Sequence, residues 1–315
     1  MKRLRRGRAA VVLLAALVLV ISGAGASSAQ EDDHDHPTPP PSTTPTTLTP
    51  GPPPPGLRTT EITYGPFDIP GAPMNPDGTH GHAHTGNRFV SGVRKPCTSC
   101  YITGMRADLR YPDGRQANWS NDAQLHHMVL INSSRRDVTC GTGQRFFASG
   151  DERTVVPTVG NFGYRVGLFD RWTLLYELAN HRDTPKDVVI TVTFEWVPRS
   201  TGNMTELTPV WLDLEQCGDS EVSLPAGSSS RVYTWTANRS GRLMHLHGHV
   251  HDGGVNVTVD NASTGRRLCD SRAGYGESPA YIGHHGEPHI SSMSICMGNR
   301  GAPIDTIRTG NRIRL

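Results

Sequence analysis

From Leu57 onward the chain never sustains the 3.6-residue apolar period of a capped helix. Apolar runs of strand length recur instead, broken roughly every ten residues by Gly, Pro, Asn and Asp. In Asp187–Trp196 the residues Val188, Ile190, Val192, Phe194 and Trp196 take alternate positions. Thr59–Tyr64, Cys100–Leu109, Leu125–Asn132, Trp172–Leu178, Val210–Leu214, Arg231–Thr236, Val255–Val259 and His289–Met297 also read as strands. Successive side chains of a strand point to opposite faces, so such runs bury one face each and pack sheet on sheet. The expected fold is all-β, with two jelly-roll-like β-sandwich domains in tandem. Gly, Asn and Pro cluster between Pro198 and Pro209, which sets the expected domains at 57–198 and 207–315.

The N-terminal stretch stands apart. Lys2, Arg3, Arg5, Arg6 and Arg8 precede an apolar run from Ala9 to Ile21 and then small residues to Ala29. That pattern predicts a signal peptide over 1–29, and the run is short for a membrane span of ~20 residues. No retained span is expected. Residues 30–56 hold Asp-His-Asp-His and then Pro- and Thr-rich sequence, which cannot bury a core and reads as a disordered linker or stalk. The product is expected to be secreted, free or held near the cell surface by this stalk.

Losing five cations takes the 31 Lys+Arg to 26 against 29 Asp+Glu, a formal −3. That balance carries no nucleic-acid footprint. Six cysteines in an exported chain predict disulfides, and Cys269 with Cys296 is the expected pair because both flank late strand-like segments. Cys97-x-x-Cys100 has no second such pair with which to build a zinc site. Six Asn-x-Ser/Thr sequons, at Asn118, Asn132, Asn203, Asn238, Asn256 and Asn261, are frequent enough by chance in a Ser/Thr-rich chain to carry no weight. A nucleophile elbow, a Gly-rich phosphate loop and a His-Glu-x-x-His helix are all missing.

The chemistry-bearing residues are histidines. His245, His247, His249 and His251 alternate in Leu-Met-His-Leu-His-Gly-His-Val-His-Asp-Gly-Gly, which places all four on one face of a strand. Same-face neighbours lie roughly 6–7 Å apart at Cα, so two imidazoles can converge on one ion. A solvated His-rich strand is the bland reading, against which stand Gly248, Gly253 and Gly254, which admit another backbone closely. Met293, or Met297 on the same face, is a soft thioether donor that suits copper(I). Adjacent His126 and His127 point to opposite faces of a regular strand, so on their own they read as one buried and one exposed histidine, and one ion takes both only at a bulge or strong twist. His80, His82 and His84 lie among Gly and Asn and read as a solvated loop. His284, His285 and His289 read as partners that orient metal ligands.

Together, His126-His127-Met128, His247-Gly248-His249 and the later Met293 resemble the copper type II, ascorbate-dependent monooxygenases, the peptidylglycine α-hydroxylating and dopamine β-monooxygenase group. The resemblance implies two coppers. One is an oxygen-binding ion at His247, His249 and Met293. The other is an electron-transfer ion at His126, His127 and a third histidine. The third histidine of that family falls in a strand that here reads Trp-Thr-Leu-Leu-Tyr-Glu-Leu-Ala-Asn and lacks one; His181 follows it as a substitute, and Glu177 is a poorer copper(I) ligand. His245 and His251 are register alternatives to His247 and His249. The implied reaction hydroxylates a substrate C–H bond with O2 and ascorbate or a similar small reductant. The substrate, small molecule or peptide, is not specified; Arg242 is the nearest basic anchor for a carboxylate. The alternative is a non-catalytic copper-binding or cell-surface interaction protein on the same scaffold, with its first copper site incomplete.

Overall fold

The computed structural model describes residues 50–75, 81–141, 143–217 and 222–315. The expected signal peptide, the linker up to residue 49 and His80 lie outside the described residues. Of the expected linker, Gly51 and Pro54 are buried, and a Cβ on Gly51 would sit 3.1 Å from the Arg300 carbonyl oxygen. Among the described residues the structure is strands and short 3-10 turns, with no helix long and apolar enough to cross a membrane.

Two sheets face each other in the N-terminal half. One runs in the order Arg58–Ile69, Lys186–Pro198, Cys100–Arg110, Phe162–Val166 and Thr205–Glu206. The other runs Ala83–His84, Trp172–Asn180, Ala123–Arg136 and Gly143–Ser149, with Arg88–Val93 also paired to Trp172–Asn180. Their apolar faces meet in one core. Val188, Ile190, Val192 and Phe194 are fully buried there, opposite Leu125, Met128, Leu130, Leu174 and Leu178. Each such side chain contributes roughly 1.5–3 kcal/mol of burial. Trp196 leaves this row: the pairing slips between Glu195 and Trp196, and its indole N–H donates to Thr60 Oγ1 at 3.0 Å from a half-buried position.

The C-terminal half has a smaller core of Val259, Leu268, Cys269 and Ile313, with Trp235, Leu246 and Cys296 against it. A sheet in the order Thr234–Thr236, Arg312–Arg314, Asn256–Asn261, Arg266–Tyr275 and Ile290–Met293 carries it. Two ribbons, Gly241–Leu243 with Asp305–Ile307 and His245–His247 with Ile295–Met297, complete this half. Disulfides join Cys97 to Cys100, Cys140 to Cys217 and, as expected, Cys269 to Cys296.

Further expectations change. Val210–Leu214 is not a strand, because its backbone is taken up by side chains: the Trp211 carbonyl accepts from Thr139 Oγ1 at 3.0 Å and from Gln216 Nε2 at 3.2 Å. The four-histidine strand stops at His247. Gly248 N–H donates to Ser271 Oγ at 2.9 Å instead of to a ladder carbonyl, and a turn closes from the His251 carbonyl to Gly254 N–H at 2.9 Å. His249 and His251 therefore stand on a loop.

Candidate metal centre

The Ala123–Arg136 strand carries the first histidines, and it is irregular where they stand. Against Trp172–Asn180 its pairing steps from Gln124 opposite Ala179 to His127 opposite Glu177, so that Leu125 and His126 face the single residue Leu178. This bulge removes the alternation that would send neighbours to opposite faces. The imidazoles of His126 and His127 converge, with Nδ1 atoms 3.2 Å apart. His127 Nε2 lies 2.8 Å from Asn87 Oδ1, which orients its ring from the far side.

The loop of the C-terminal half supplies the third. The His251 ring meets His126 edge to face with centroids 4.2 Å apart. His126, His127 and His251 each offer a ligand atom within 4.8 Å of the others. His84, His126 and Glu177 satisfy the same test, and these two are the groups of three or more His, Cys, Asp or Glu that do so among the described residues. A cleft of about 220 Å³ opens beside them, lined in part by His82, Trp119, His249 and Ile290.

Burial and mutual repulsion keep these rings neutral. Burial, then His251 and His127, push His126 down to about 2. Burial, then His249 and His251, push His127 down to about 4; burial and then His249 do the same to His251. Neutral imidazoles present lone pairs at any pH near neutrality, as a metal requires. Every cysteine is in a disulfide, so the donor set is imidazole nitrogen and carboxylate oxygen with thioether nearby. Nitrogen-rich sites of this kind suit copper or zinc. The residues fit an ion.

His249 differs. Its Nδ1 lies 3.1 Å from Oε2 of Glu152, a buried carboxylate whose Oε1 accepts from Gly150 N–H and Thr154 Oγ1, both at 3.0 Å. Burial would lower the His249 pKa, but the charge and hydrogen bond of Glu152 raise it. Burial raises Glu152 in turn, and the charge of His249 together with the hydrogen bonds to His249, Thr154 and the backbone outweighs this and holds it at about 2. A Cβ on Gly150 would sit 2.5 Å from His249 Cε1, so the turn closes onto the ring. Met293 is buried, with its Cε 3.2 Å from the place a Gly248 Cβ would occupy, against the backbone between His247 and His249. On the preceding strand His245 and His247 have ring centroids 5.2 Å apart, and His245 Nε2 is buried without a hydrogen-bond partner. His245 stands opposite Met297 in register.

His181 is placed elsewhere in the cluster, with its Nδ1 3.0 Å from His82 Nδ1 and its ring stacked on Trp119 at 4.1 Å. Trp119 is also stacked by His289, whose Nδ1 lies 2.5 Å from Asp252 Oδ2. His284 pairs with Asp122 and Arg182, His285 N–H donates to Glu287 Oε2 at 2.9 Å, and Arg242 stacks on Phe162. His82 and His84 do not stand on the solvated loop that the sequence predicts. Ala83–His84 is a short strand on the edge of Trp172–Asn180 and brings both to the cleft. The alternating His-Gly-His-Ala-His was the available signal.

No family model matches the chain. Two relatives do. The probable copper-dependent oxygenase M1 of Phoma sp. (strain ATCC 20986 / MF5453) is 31% identical over 264 residues, 79% of this chain and 64% of that protein. The probable copper-dependent oxygenase clz3 of Cochliobolus lunatus is 31% identical over 217 residues, 64% of this chain and 67% of that protein. The chain belongs to this family of copper-dependent oxygenases. It spans about two thirds of the length of either relative. Membership of a copper oxygenase family gives the histidine-lined cleft between the two halves a chemical context that neither half supplies alone.

Proposed function

We propose that the protein is a secreted copper monooxygenase of the ascorbate-dependent type, with copper held by His126, His127 and His251. The observation that carries this reading is the bulge that turns two adjacent histidines into converging donors and completes them with a histidine from the other half. Copper, when bound, supplies the one-electron chemistry that brings O2 to a substrate C–H bond. A second, softer seat at His247, His249 and Met293 is supported by the Met293 methyl against Gly248 and by Glu152, which accepts a hydrogen bond from His249 Nδ1–H and leaves Nε2 as the donor atom. Trp119 and Ile290 give the cleft apolar wall beside the histidines. Export is supported by the three disulfides, which persist in oxidising compartments.

The test is copper stoichiometry together with ascorbate-driven oxygen consumption. Two coppers per chain, and O2 uptake lost in His126→Ala and His247→Ala, are expected. Copper binding without ascorbate-dependent O2 uptake would favour the non-catalytic copper-binding protein. No copper at all would end both.

A further inference from the structure

We infer that Glu177 is the anionic member of the copper centre and favours the oxidised ion over the reduced one. This rests on the copper reading of His126, His127 and His251. Glu177 stands directly opposite His127 in the register of the two strands. Its Oε1 lies 3.1 Å from His84 Nδ1, and its Oε2 lies 3.7 Å from His126 Nδ1 and 3.8 Å from His127 Nε2. One carboxylate thus addresses three imidazoles. Its side chain is only 13% exposed, so little water screens it.

The two triads share a member. His126 belongs both to the three-histidine group and to the group of His84, His126 and Glu177. An ion at His126 therefore has a carboxylate within reach as well as imidazoles. The acidic groups that line the cleft are engaged elsewhere. Asp151 accepts from Trp119 Nε1 and pairs with Arg153, Glu152 holds His249, and Asp252 holds His289.

Imidazoles bind a metal as neutral donors, so a site of three histidines leaves the whole charge of the ion uncompensated. A carboxylate a few ångströms away attracts a doubly charged ion more than a singly charged one. Oxygen donors are also harder than imidazole or thioether and suit copper(II) better than copper(I). Both effects have the same sign.

The affinities of copper(II) and copper(I) are to be measured separately, by chelator competition, on the full protein and on Glu177→Gln. The expected result is a fall of at least tenfold for copper(II) with less than threefold change for copper(I). A tenfold change in that ratio raises a one-electron potential by about 59 mV. An equal change in both affinities, or none, overturns the assignment of Glu177 while leaving the histidine centre standing. A wild type that binds no copper overturns the copper reading and this inference with it. If circular dichroism shows Glu177→Gln unfolded, wild type carrying ¹³C-glutamate and copper(II) is read by pulsed EPR. A ¹³C coupling from a carboxylate is expected, and its absence overturns the inference.

Discussion

His126 and His127, neighbours in the chain, bring their Nδ1 atoms to 3.2 Å because the strand bulges at His126. A regular strand would hold the two rings on opposite sides of the sheet. The centre depends on that one irregularity, and on a loop from the other half that completes it.

The loop is held in place by Ser271. This buried hydroxyl accepts from Gly248 N–H at 2.9 Å and donates to the Ser294 carbonyl at 2.6 Å. Ser271→Ala leaves the Gly248 N–H without its partner, a loss of about 1–3 kcal/mol. Chemical denaturation of the metal-free protein should show this, with copper affinity falling in parallel. Unchanged stability would mean that the loop is anchored elsewhere.

Gly150 is required by what lies against it. A methyl there would meet His249 Cε1 at 2.5 Å and Glu152 Oε2 at 2.6 Å. Gly150→Ala is expected to displace the ring at a cost of about 1–3 kcal/mol. Separation of His249 from its orienting carboxylate should weaken metal binding by roughly 10–100-fold. Isothermal titration with copper, paired with thermal unfolding, separates the two effects.

Asp137 gives a pH-dependent test away from the metal. Its carboxylate accepts from Arg145 Nε at 3.0 Å and from Thr139 N–H at 2.9 Å, beside the Cys140–Cys217 disulfide. Burial works against the charge, but Arg145 and Thr139 outweigh it and hold the carboxyl below the usual carboxylate range. A depressed carboxyl stabilises the fold above its unfolded pKa of ~3.9, and that contribution is lost as the pH falls further. Asp137→Asn should cost about 3 kcal/mol at neutral pH. The gap from wild type should narrow as the pH drops below about 4, as measured by urea unfolding across that range. A gap independent of pH would contradict the ion pair.

Much of this was legible in the sequence. The row Val188, Ile190, Val192 and Phe194 announced the first core, and Cys269 with Cys296 the disulfide of the second. Strands such as Arg266–Tyr275 were not legible, because their exposed faces are charged and their apolar residues too few to show a period. The histidine motifs were visible as donors, but how they combine was not. A bulge leaves no local mark in Gln-Leu-His-His, and the approach of His251 to His126 is a contact between halves that no local pattern encodes.

One copper site drawing ligands from both halves is what the geometry of His126, His127 and His251 predicts. It is tested most directly by counting nitrogen ligands, through X-ray absorption and pulsed EPR, on copper-loaded wild type, His126→Ala and His251→Ala. Loss of imidazole coupling and at least a tenfold fall in affinity are expected in both variants, although the two residues lie on different halves. A copper signal that survives unchanged in His251→Ala would contradict the shared centre.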